Sequence, residues 1–446
     1  MFFTFRLKGL LLAASLCAAA GYAEATTLCT PDAFGGYLSR VTLNTKAIQS
    51  AIDHCALQGG GEVRLRKGLW LSGPLTLKSH VTLNLMEGAI LKADNREKDF
   101  VAAYIGSPTQ DKEAFILANG ATDVGIIGSG TIDGSGEELW WEEALRIRKE
   151  VRSGNTKLFE ELFPNVKLAN GMPRPWLIEL NEVTGATVFG VTLTNSPMWN
   201  LVLRNSEDIV VDSVTISAPE ESPNTDGMDI VSSQRVTVRN VEIATGDDNI
   251  AIKSGVNKDG SQSSAEILIE NSVMNKGHGI SLGSETANGI GKVTVRNVTF
   301  NEGENGVRIK SARDRGAEIG PLYVEDVTMH NVATPLLVTL SYVGQAGAAG
   351  LDLTGEMEAE PVTAFTPLVK GVHVTNLKAT GAQLAALLSG LPEAPLKEVV
   401  LENVQLEAKQ GIQARYVEGS LIFTQVECEA GPAVNRGAHA LLKEAR

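Results

Sequence analysis

The sequence has few cysteines, few prolines and few aromatic residues, and it lacks an excess of positive charge. Four Cys and 16 Pro occur among 446 residues, against 45 Gly, and aromatic residues make up 5%. So little cysteine excludes a small domain held together by disulfides. A hydrophobic content of 43% with 21% charged residues excludes a disordered or collagen-like chain. The composition is that of a globular protein with a large core.

Positive charge is the scarcer sign, with 39 Lys and Arg against 53 Asp and Glu, a formal net charge of −14. Nucleic acids and anionic membrane surfaces attract proteins that carry a basic field. The charge balance therefore predicts that neither is a partner. Taken alone, the acidic excess also argues against an anionic substrate.

The N-terminal segment has the pattern of an export signal. Residues 10–20 form an apolar run behind the basic Arg6 and Lys8, and residues 23–25 read Ala-Glu-Ala. The run is too short to cross a membrane, and the small residues are typical of a cleavage site. We expect residues 1–25 to be a signal peptide and residues 26–446 to form a soluble monomer, secreted or periplasmic.

Three cysteines, Cys29, Cys55 and Cys428, follow this segment. Two interpretations remain open: a Cys29–Cys55 disulfide formed in an oxidising compartment, or three reduced and buried thiols. No Cys-x-x-Cys pair and no His/Cys cluster is present. The sequence therefore predicts no metal site and no cofactor.

Short β-branched segments, each interrupted by Asn or Asp, recur every 26–31 residues apart from one step of 50. They occupy residues 209–216, 236–243, 267–274, 293–300, 322–329, 372–379 and 399–406. Their Asn and Asp residues align as Asp212, Asn240, Asn271, Asn297, Asp326, Asn376 and Asn403. A repeat of this length made of short strands and turns predicts a solenoid, here an all-β, single-domain parallel β-helix. A propeller is the rival, but the hairpin signals of its blades are missing.

Residues 44–56 are the exception to the strand pattern. Ala47, Ile48, Ala51, Ile52 and Cys55 fall on one helical stripe behind an Asn/Thr N-cap. The open apolar end of a solenoid must be covered by an atypical terminal element. We expect this short helix to cap the N-terminal end of the β-helix.

Polar residues recur just before the second strand of each middle repeat. These strands align on a shared apolar position, which falls at Met228, Ile250, Ile280 and Val307. Two residues earlier stand Asp226, Asp248, His278 and Asn305. Equivalent positions of a parallel solenoid stack at about 4.8 Å per turn. Asp226, Asp248 and His278 should therefore form one column.

Charged residues next to this column indicate its chemistry. Asp247 is beside Asp248, and Arg308 and Lys310 belong to the strand that begins at Val307, while Lys253 belongs to the one that begins at Ile250. Two carboxyl groups, one protonated and one ionised, are the machinery of glycoside hydrolysis. Crowded carboxylates raise at least one pKa, which supplies the acid. Arg308 could form two parallel hydrogen bonds with a substrate carboxylate, and Lys310 could place a single positive charge beside it. The prediction is a local group of cations around three acids in an otherwise negative solenoid.

Four tripeptides in this order resemble the motifs of the polygalacturonases of glycoside hydrolase family 28. They are Asn-Thr-Asp at 224–226, Gly-Asp-Asp at 246–248, Gly-His-Gly at 277–279 and Arg-Ile-Lys at 308–310. The resemblance covers most of residues 40–345. It implies a right-handed parallel β-helix and the metal-independent, inverting hydrolysis of α-1,4-galacturonide bonds in pectin. One departure is Asn249, which replaces a cysteine often found after the Asp pair.

The resemblance also implies roles for individual residues. Asp247 corresponds to the general acid, and Asp226 and Asp248 correspond to the pair that activates water. His278 corresponds to the histidine that supports protonation of the acid. The remaining predicted positions bind substrate or fix the cluster: Arg308, Lys310, Asn224 and Tyr342.

Several alternatives remain at this stage. The motifs favour endo action on polygalacturonate, with exo action or a rhamnogalacturonan hydrolase as alternatives. A β-helix pectate lyase and a non-catalytic polysaccharide-binding β-helix protein fit the motifs less well. Residues 137–175 interrupt the repeat, and they form either a loop over the site or a surface helix without a substrate role.

Overall fold

The computed structural model describes residues 27–94, 100, 113–164, 171–343 and 353–445. The predicted signal peptide at residues 1–25 lies outside the described residues, as does part of the insertion predicted around residues 344–360. No helix in the described ranges is long and apolar enough to span a membrane.

The chain forms a right-handed parallel β-helix, as predicted. The first nine strands are β1 Leu28–Cys29, β2 Gly61–Leu65, β3 Gly68–Ser72, β4 Leu75–Leu77, β5 Val81–Leu85, β6 Ala89–Ala93, β7 Ala114–Asn119, β8 Thr122–Gly128 and β9 Thr131–Asp133. The middle strands are β10 Trp176–Asn181, β11 Thr184–Phe189, β12 Thr192–Thr194, β13 Leu201–Arg204, β14 Glu207–Asp212, β15 Thr215–Ser217, β16 Met228–Val231, β17 Gln234–Arg239, β18 Glu242–Ala244, β19 Ile250–Lys253, β20 Ala265–Asn275, β21 Ile280–Gly283 and β22 Val293–Lys310. The last are β23 Glu318–Ile319, β24 Leu322–Thr339, β25 Leu368–Val369, β26 Val372–Leu384, β27 Ala386–Ser389, β28 Leu396–Arg415, β29 Val417–Ile422, β30 Gln425–Arg436 and β31 Ala440–Ala445.

Each turn of the helix stacks its strands in parallel on those of the next turn. Strands β10, β13, β16, β19, β21 and the end of β22 pair in that order. Alternate side chains point inward, since the strands read as alternating buried and less buried positions. One apolar core extends from Cys29 to Leu442. Burial of this continuous core is what holds the turns together.

The predicted ladder of Asn and Asp residues is present, with one correction. The side-chain amide of Asn297 donates to Asn271, and that of Asn403 donates to Asn376, both at 2.7 Å. Asp212, however, pairs with Arg239, one position earlier than predicted. Ser213 takes the left-handed turn position instead, with a φ of 56°. The prediction aligned Asp212 with the Asn residues of the later repeats. The observed pairing instead aligns the apolar residues, which set the register of the strands.

Helix α1, Thr45–Leu57, confirms the predicted cap. The five stripe residues are all buried. Asn44 precedes the helix but its side chain does not cap it; its Oδ1 accepts a hydrogen bond from the backbone N–H of Tyr37 at 2.9 Å. The N-cap interaction was therefore predicted wrongly, although the helix was not.

A disulfide joins Cys29 in β1 to Cys55 in α1, so the first of the two open interpretations is confirmed. Cys428 is free and partly exposed. The bridge fastens the capping helix to the first strand.

Removal of this disulfide, as Cys29→Ala/Cys55→Ala, is expected to destabilise the protein. The bridge closes a loop with a sequence separation of 26 residues. Closing a loop of this size lowers the conformational entropy of the unfolded chain, which stabilises the folded protein by about 3 kcal/mol. Thermal unfolding of the double variant checks this, with Cys428→Ala as the control that removes a thiol but no bridge. An unchanged melting temperature in the double variant would contradict it.

The described residues of the segment that interrupts the repeat, 136–164 and 171–175, form three helices: α2 Gly136–Leu139, α3 Trp141–Arg152 and α4 Lys157–Leu162. They enclose a small core of their own, made by Trp140, Trp141, Ala144, Ile147, Phe159 and Met172. The indole N–H of Trp141 donates to the carbonyl of Ser196 at 2.9 Å. This bond attaches α3 to the turn of the β-helix that lies just before β13.

Candidate active site

The predicted register of the site is confirmed. Met228 pairs with Ile250, Ile250 with Ile280, and Ile280 with Val307. The acids lie in the connections that lead into β16 and β19, and His278 lies in the one that leads into β21. Three successive turns of the β-helix therefore bring these residues to one place.

His278 occupies a tight turn between two glycines. A side chain at Gly279 would meet the backbone oxygen of Gly306 at 2.1 Å, and the φ of Gly279 is 78°. The N–H of Gly279 donates to the side chain of Asn249 at 2.9 Å. Asn249 thus ties the histidine turn to the preceding turn of the β-helix.

Asp247 and His278 form a hydrogen-bonded pair. His278 Nδ1 lies 3.0 Å from Asp247 Oδ1, and the same oxygen accepts the backbone N–H of Asp248 at 3.0 Å. His278 Nε2 lies 3.1 Å from Glu304 Oε2. Among the described residues, Asp247 Oδ2 accepts no hydrogen bond. That oxygen is therefore free to meet another molecule.

Asp248 is the most strongly engaged of the acids. It is 1% exposed, and its Oδ2 accepts from Lys310 Nζ at 2.7 Å. Its Oδ1 accepts from Arg308 Nη2 and, at 2.9 Å, from Ser281 Oγ. Arg308 and Lys310 are brought to the acids as predicted, but in this structure they neutralise Asp248.

Asp226 contrasts with Asp248, since its carboxylate accepts no hydrogen bond from any described residue, although its backbone carbonyl accepts one from the side chain of Asn200 at 3.0 Å. The nearest cation is Lys253, whose Nζ is 3.8 Å from Asp226 Oδ2 and 2.8 Å from Asp229 Oδ1. The ammonium also lies 4.0 Å from the ring centre of Trp199, which stacks on Trp176. Lys253 lies at the acid cluster, as predicted, but it is buried and its close partner is Asp229.

The electrostatic environment separates the three carboxyl groups. Burial, together with the charges of Asp229 and Asp247, raises the pKa of Asp226 well above its usual range. Burial also opposes ionisation of Asp248, but Arg308 and Lys310 outweigh it and hold its pKa far below the ordinary value. Asp226 therefore tends to hold a proton, whereas Asp248 stays ionised.

The Asp247–His278 pair behaves as a unit. Burial disfavours the charge on Asp247, but the hydrogen bond from His278 outweighs it and lowers the pKa of Asp247. Burial also disfavours the imidazolium, yet the hydrogen bond and charge of Asp247 raise the pKa of His278 above 6.5. Without substrate, the proton of the pair resides on His278 rather than on Asp247.

Asn224 and Tyr342 lie on two sides of the cluster. Asn224 has a left-handed backbone, with a φ of 55°, and its Oδ1 accepts from Arg148 at 2.7 Å and from Arg174 at 2.8 Å. The ring of Tyr342 lies 5.8 Å from Lys310 Nζ, and burial raises the pKa of Tyr342 to about 12. Both residues are therefore near the site, as predicted.

Asp247, Asp248 and His278 are the described residues that offer metal-ligand atoms close together, within 4.8 Å of one another. The carboxylate of Asp248 already accepts hydrogen bonds from Arg308 and Lys310. Two positive charges on one ligand oppose the binding of a further cation. The donor set therefore does not fit a metal ion.

Three contributions escaped the sequence prediction. Glu304 stands three residues before Val307, as Asp247 stands three before Ile250, so the register carried a signal for it. Asp229 and Glu285 surround Lys253, and burial raises the pKa of Asp229 to about 7. Arg148 comes from the interrupting helices, and nothing in the repeat indicated it.

Paired carboxyl groups on the wall of a parallel β-helix are typical of one class of protein, the enzymes that hydrolyse glycosidic bonds. The comparisons with known proteins agree with this class. The sequence model of glycosyl hydrolases family 28 matches residues 67–420. The chain belongs to this family and is a glycoside hydrolase.

Three known proteins illustrate the relationship. An endo-polygalacturonase from Pectobacterium parmentieri is 34% identical over 347 residues, which cover 74% of this chain and 79% of the relative. An exo-poly-alpha-D-galacturonosidase from Dickeya chrysanthemi is 30% identical over 393 residues, 80% of this chain and 63% of the relative. The structure of a polygalacturonase from Erwinia carotovora ssp. carotovora is 26% identical with a TM-score of 0.62, over 94% of this chain and 96% of that one.

Proposed function

We propose that this enzyme hydrolyses α-1,4-galacturonosidic bonds inside polygalacturonate chains, with inversion and without a metal ion. The observation that carries the proposal is the group formed by Asp226, Asp247 and His278 beside two cations, Arg308 and Lys310. This group contains an acid, a base and positive charge for a uronate. The polygalacturonases among its relatives support the same substrate.

In the proposed reaction, Asp247 protonates the glycosidic oxygen as the bond to C1 breaks. The proton comes from the Asp247–His278 pair, in which Asp247 Oδ1 and His278 Nδ1 lie 3.0 Å apart and share one proton. Bound substrate excludes water, and exclusion of water favours the neutral form of the pair, with the proton on Asp247. The free Oδ2 of Asp247 is the oxygen suited to donate it.

A water molecule attacks C1 and passes its proton to Asp226. Asp226 has both oxygens free of hydrogen bonds from described residues and a raised pKa, the properties of a base tuned toward the working pH. Asp248 has a low pKa and its oxygens are engaged. Within the pair implied by the family resemblance, we therefore assign proton abstraction to Asp226, and to Asp248 the positioning of Arg308 and Lys310.

The substrate carboxylate is assigned to Arg308 and Lys310, with Tyr342 at their edge. Each cation has donors beyond those that Asp248 receives, because a guanidinium offers five and an ammonium three. Two cations on one carboxylate leave net positive charge for a second. These cations favour galacturonate over the neutral sugar of a rhamnogalacturonan at this position.

The assay that tests the proposal is cleavage of polygalacturonate. We expect new reducing ends, no ultraviolet-absorbing unsaturated product, and full activity in the presence of a chelator. An unsaturated product that disappears with chelator would establish a lyase instead. Binding without any new reducing ends would establish a non-catalytic polysaccharide-binding protein.

Exo action is the second candidate. Helix α3 packs next to Asn224, at one end of the acid cluster, and one relative is an exo-acting enzyme. Early products distinguish the two modes. Mixed oligomers at low conversion would support endo action, whereas monomer or dimer alone would establish exo action.

The proposal includes export of residues 26–446 after removal of residues 1–25. The Cys29–Cys55 disulfide supports an oxidising compartment. The N-terminal sequence of the protein recovered from periplasm or medium checks this, and retention of residues 1–25 would contradict it.

The pH profile of kcat/KM is expected to be bell-shaped with a mildly acidic optimum. Asp226 acts only when ionised, so activity rises as the pH passes its raised pKa. The Asp247–His278 pair acts only while it holds its proton, so activity falls as the pH passes the raised pKa of His278. Glu304→Gln removes a charge that raises the pKa of His278. The variant should shift the alkaline limb down by up to about 0.7 of a pH unit.

Glu302→Gln is the matched control, because Glu302 is an exposed residue of the same strand. Its profile should coincide with that of the unmodified enzyme. An alkaline limb that does not respond to Glu304→Gln would mean that His278 does not set it.

A further inference from the structure

Arg148 is a cation of the interrupting helices that reaches the acid cluster. It lies on α3, whose Trp141, Ala144 and Ile147 face inward, and its guanidinium donates to Asn224 Oδ1 at 2.7 Å. Asn224 is two residues from Asp226. The charges of Asp247 and Asp226 both act favourably on Arg148. The helix therefore carries a positive charge to the edge of the proposed catalytic site.

Arg148 differs from its neighbour Arg174 in how its hydrogen-bonding capacity is used. Arg174 is 1% exposed and donates to the carbonyls of Met172, Pro197 and Pro223 as well as to Asn224. Arg174 is therefore a structural crosslink. Arg148 is only partly buried, and its single hydrogen bond with a described residue is to a neutral amide oxygen that Arg174 already satisfies.

No carboxylate of the described residues lies within 4 Å of the Arg148 guanidinium. Burial of this cation disfavours its charge and lowers the pKa of Arg148. A partly buried cation without an anionic partner is unfavourable unless a ligand supplies one. A cation held there without a carboxylate partner among the described residues points to an anion that arrives from outside the protein.

The order of turns places Arg148 and the other cations at opposite ends of the acids. Asn224 precedes β16, whereas Arg308 and Lys310 lie on the strand three turns later. Three turns correspond to about 14 Å along the axis between the backbones, and the side chains of Arg308 and Lys310 reach back over part of this distance to Asp248. Polygalacturonate has one carboxylate on every sugar, so a chain that lies along this axis presents carboxylates on both sides of the bond that is cleaved.

We propose that Arg148 binds the carboxylate of the galacturonate residue on the Asn224 side of the scissile bond, opposite the residue held by Arg308 and Lys310. This inference rests on the proposed function, whose substrate it makes more specific. It gives the interrupting helices a direct role in substrate recognition. The enzyme then requires free carboxylates on both sides of the bond and discriminates against methyl-esterified pectin from both sides.

The test compares Arg148→Gln with Arg146→Gln. Arg146 lies on the same helix, but it is exposed and pairs with Glu143, so the control changes the same residue type without reaching the site. On polygalacturonate, Arg148→Gln should lower kcat/KM by at least about 30-fold, the usual loss when one member of a desolvated charge pair is truncated. On highly methyl-esterified pectin the two variants should differ by less than about threefold, because there is no carboxylate to lose.

Arg148→Lys serves as the second variant, since it keeps the charge and should retain most of the preference for polygalacturonate. Binding of tri-galacturonate, measured by calorimetry in an Asp247→Asn background, should weaken with Arg148→Gln and not with Arg146→Gln. Equal affinity and an equal ratio of activities on the two polymers would overturn the role of Arg148. An unmodified enzyme that releases no reducing ends from polygalacturonate would overturn the proposed function instead.

Discussion

Asp247→Asn is expected to lower kcat on polygalacturonate by about 10³-fold, within the range of general acid catalysis. Asparagine has the same shape and still accepts the backbone N–H of Asp248, so the arrangement of the site is preserved. It has no proton to give to a departing glycosidic oxygen. The rate of reducing-end release at a saturating concentration of polygalacturonate gives the change in kcat.

The control for Asp247→Asn is Asp53→Asn, the same substitution at an exposed position of α1. Its activity should equal that of the unmodified enzyme. A galacturonide with a nitrophenyl leaving group provides a second check, because a good leaving group needs little protonation and the effect should be much smaller. If Asp247→Asn kept activity within tenfold on polygalacturonate, the acid would be another residue, and Asp226 with its raised pKa would take its place.

Asp248→Asn is expected to lower the free energy of unfolding by about 3–5 kcal/mol, the usual destabilisation when one partner of a buried charge pair is removed. The substitution leaves Arg308 and Lys310, which are 6% and 7% exposed, without their carboxylate. Urea denaturation measures the change. Adding Lys310→Met to Asp248→Asn removes one stranded cation and should recover part of the loss.

Asp208→Asn is the comparison for this prediction, because Asp208 forms a solvent-exposed pair with Arg235 and the substitution should leave the unfolding midpoint unchanged. The pH dependence gives a further check. The pKa of Asp248 is depressed in the folded protein, so its contribution is present above the unfolded value of about 3.9 and is lost as the pH falls. Stability of Asp248→Asn should therefore decline less steeply in acid. Equal stability at neutral pH would show that the two cations do not depend on Asp248.

The backbone positions of the site residues were predictable because apolar residues define the repeat. Met228, Ile250, Ile280 and Val307 are buried side chains whose register is fixed by the core, so the acids that precede them had to stack. The error at Asp212 has the same origin. A polar residue was aligned there, and polar residues at a turn do not set the register.

Side-chain partners were less predictable than backbone positions. Asp248 and His278 share a column, yet His278 contacts Asp247, and Asp248 contacts cations two turns away. Rotamers and competing charges decide such contacts, and the repeat pattern carries no information on either. Arg148 could not be predicted at all, since α3 lies outside the repeat and is attached to the β-helix by the hydrogen bond from Trp141 to the carbonyl of Ser196.

The stacking of whole turns has a consequence for how the substrate preference of this enzyme can change. The acids belong to turns that precede the strand of Arg308 and Lys310, and every turn is bonded to the next along its length. Gain or loss of a complete turn between them would keep the strands paired but would move the cations by about 4.8 Å and change their contacts with Asp248, whereas a smaller shift would break the strand pairing itself. The distance along the axis between the acids and these two cations can therefore change only in steps of one turn. A lineage can lengthen its reach along the polymer only in whole steps, each of a size close to one strand spacing.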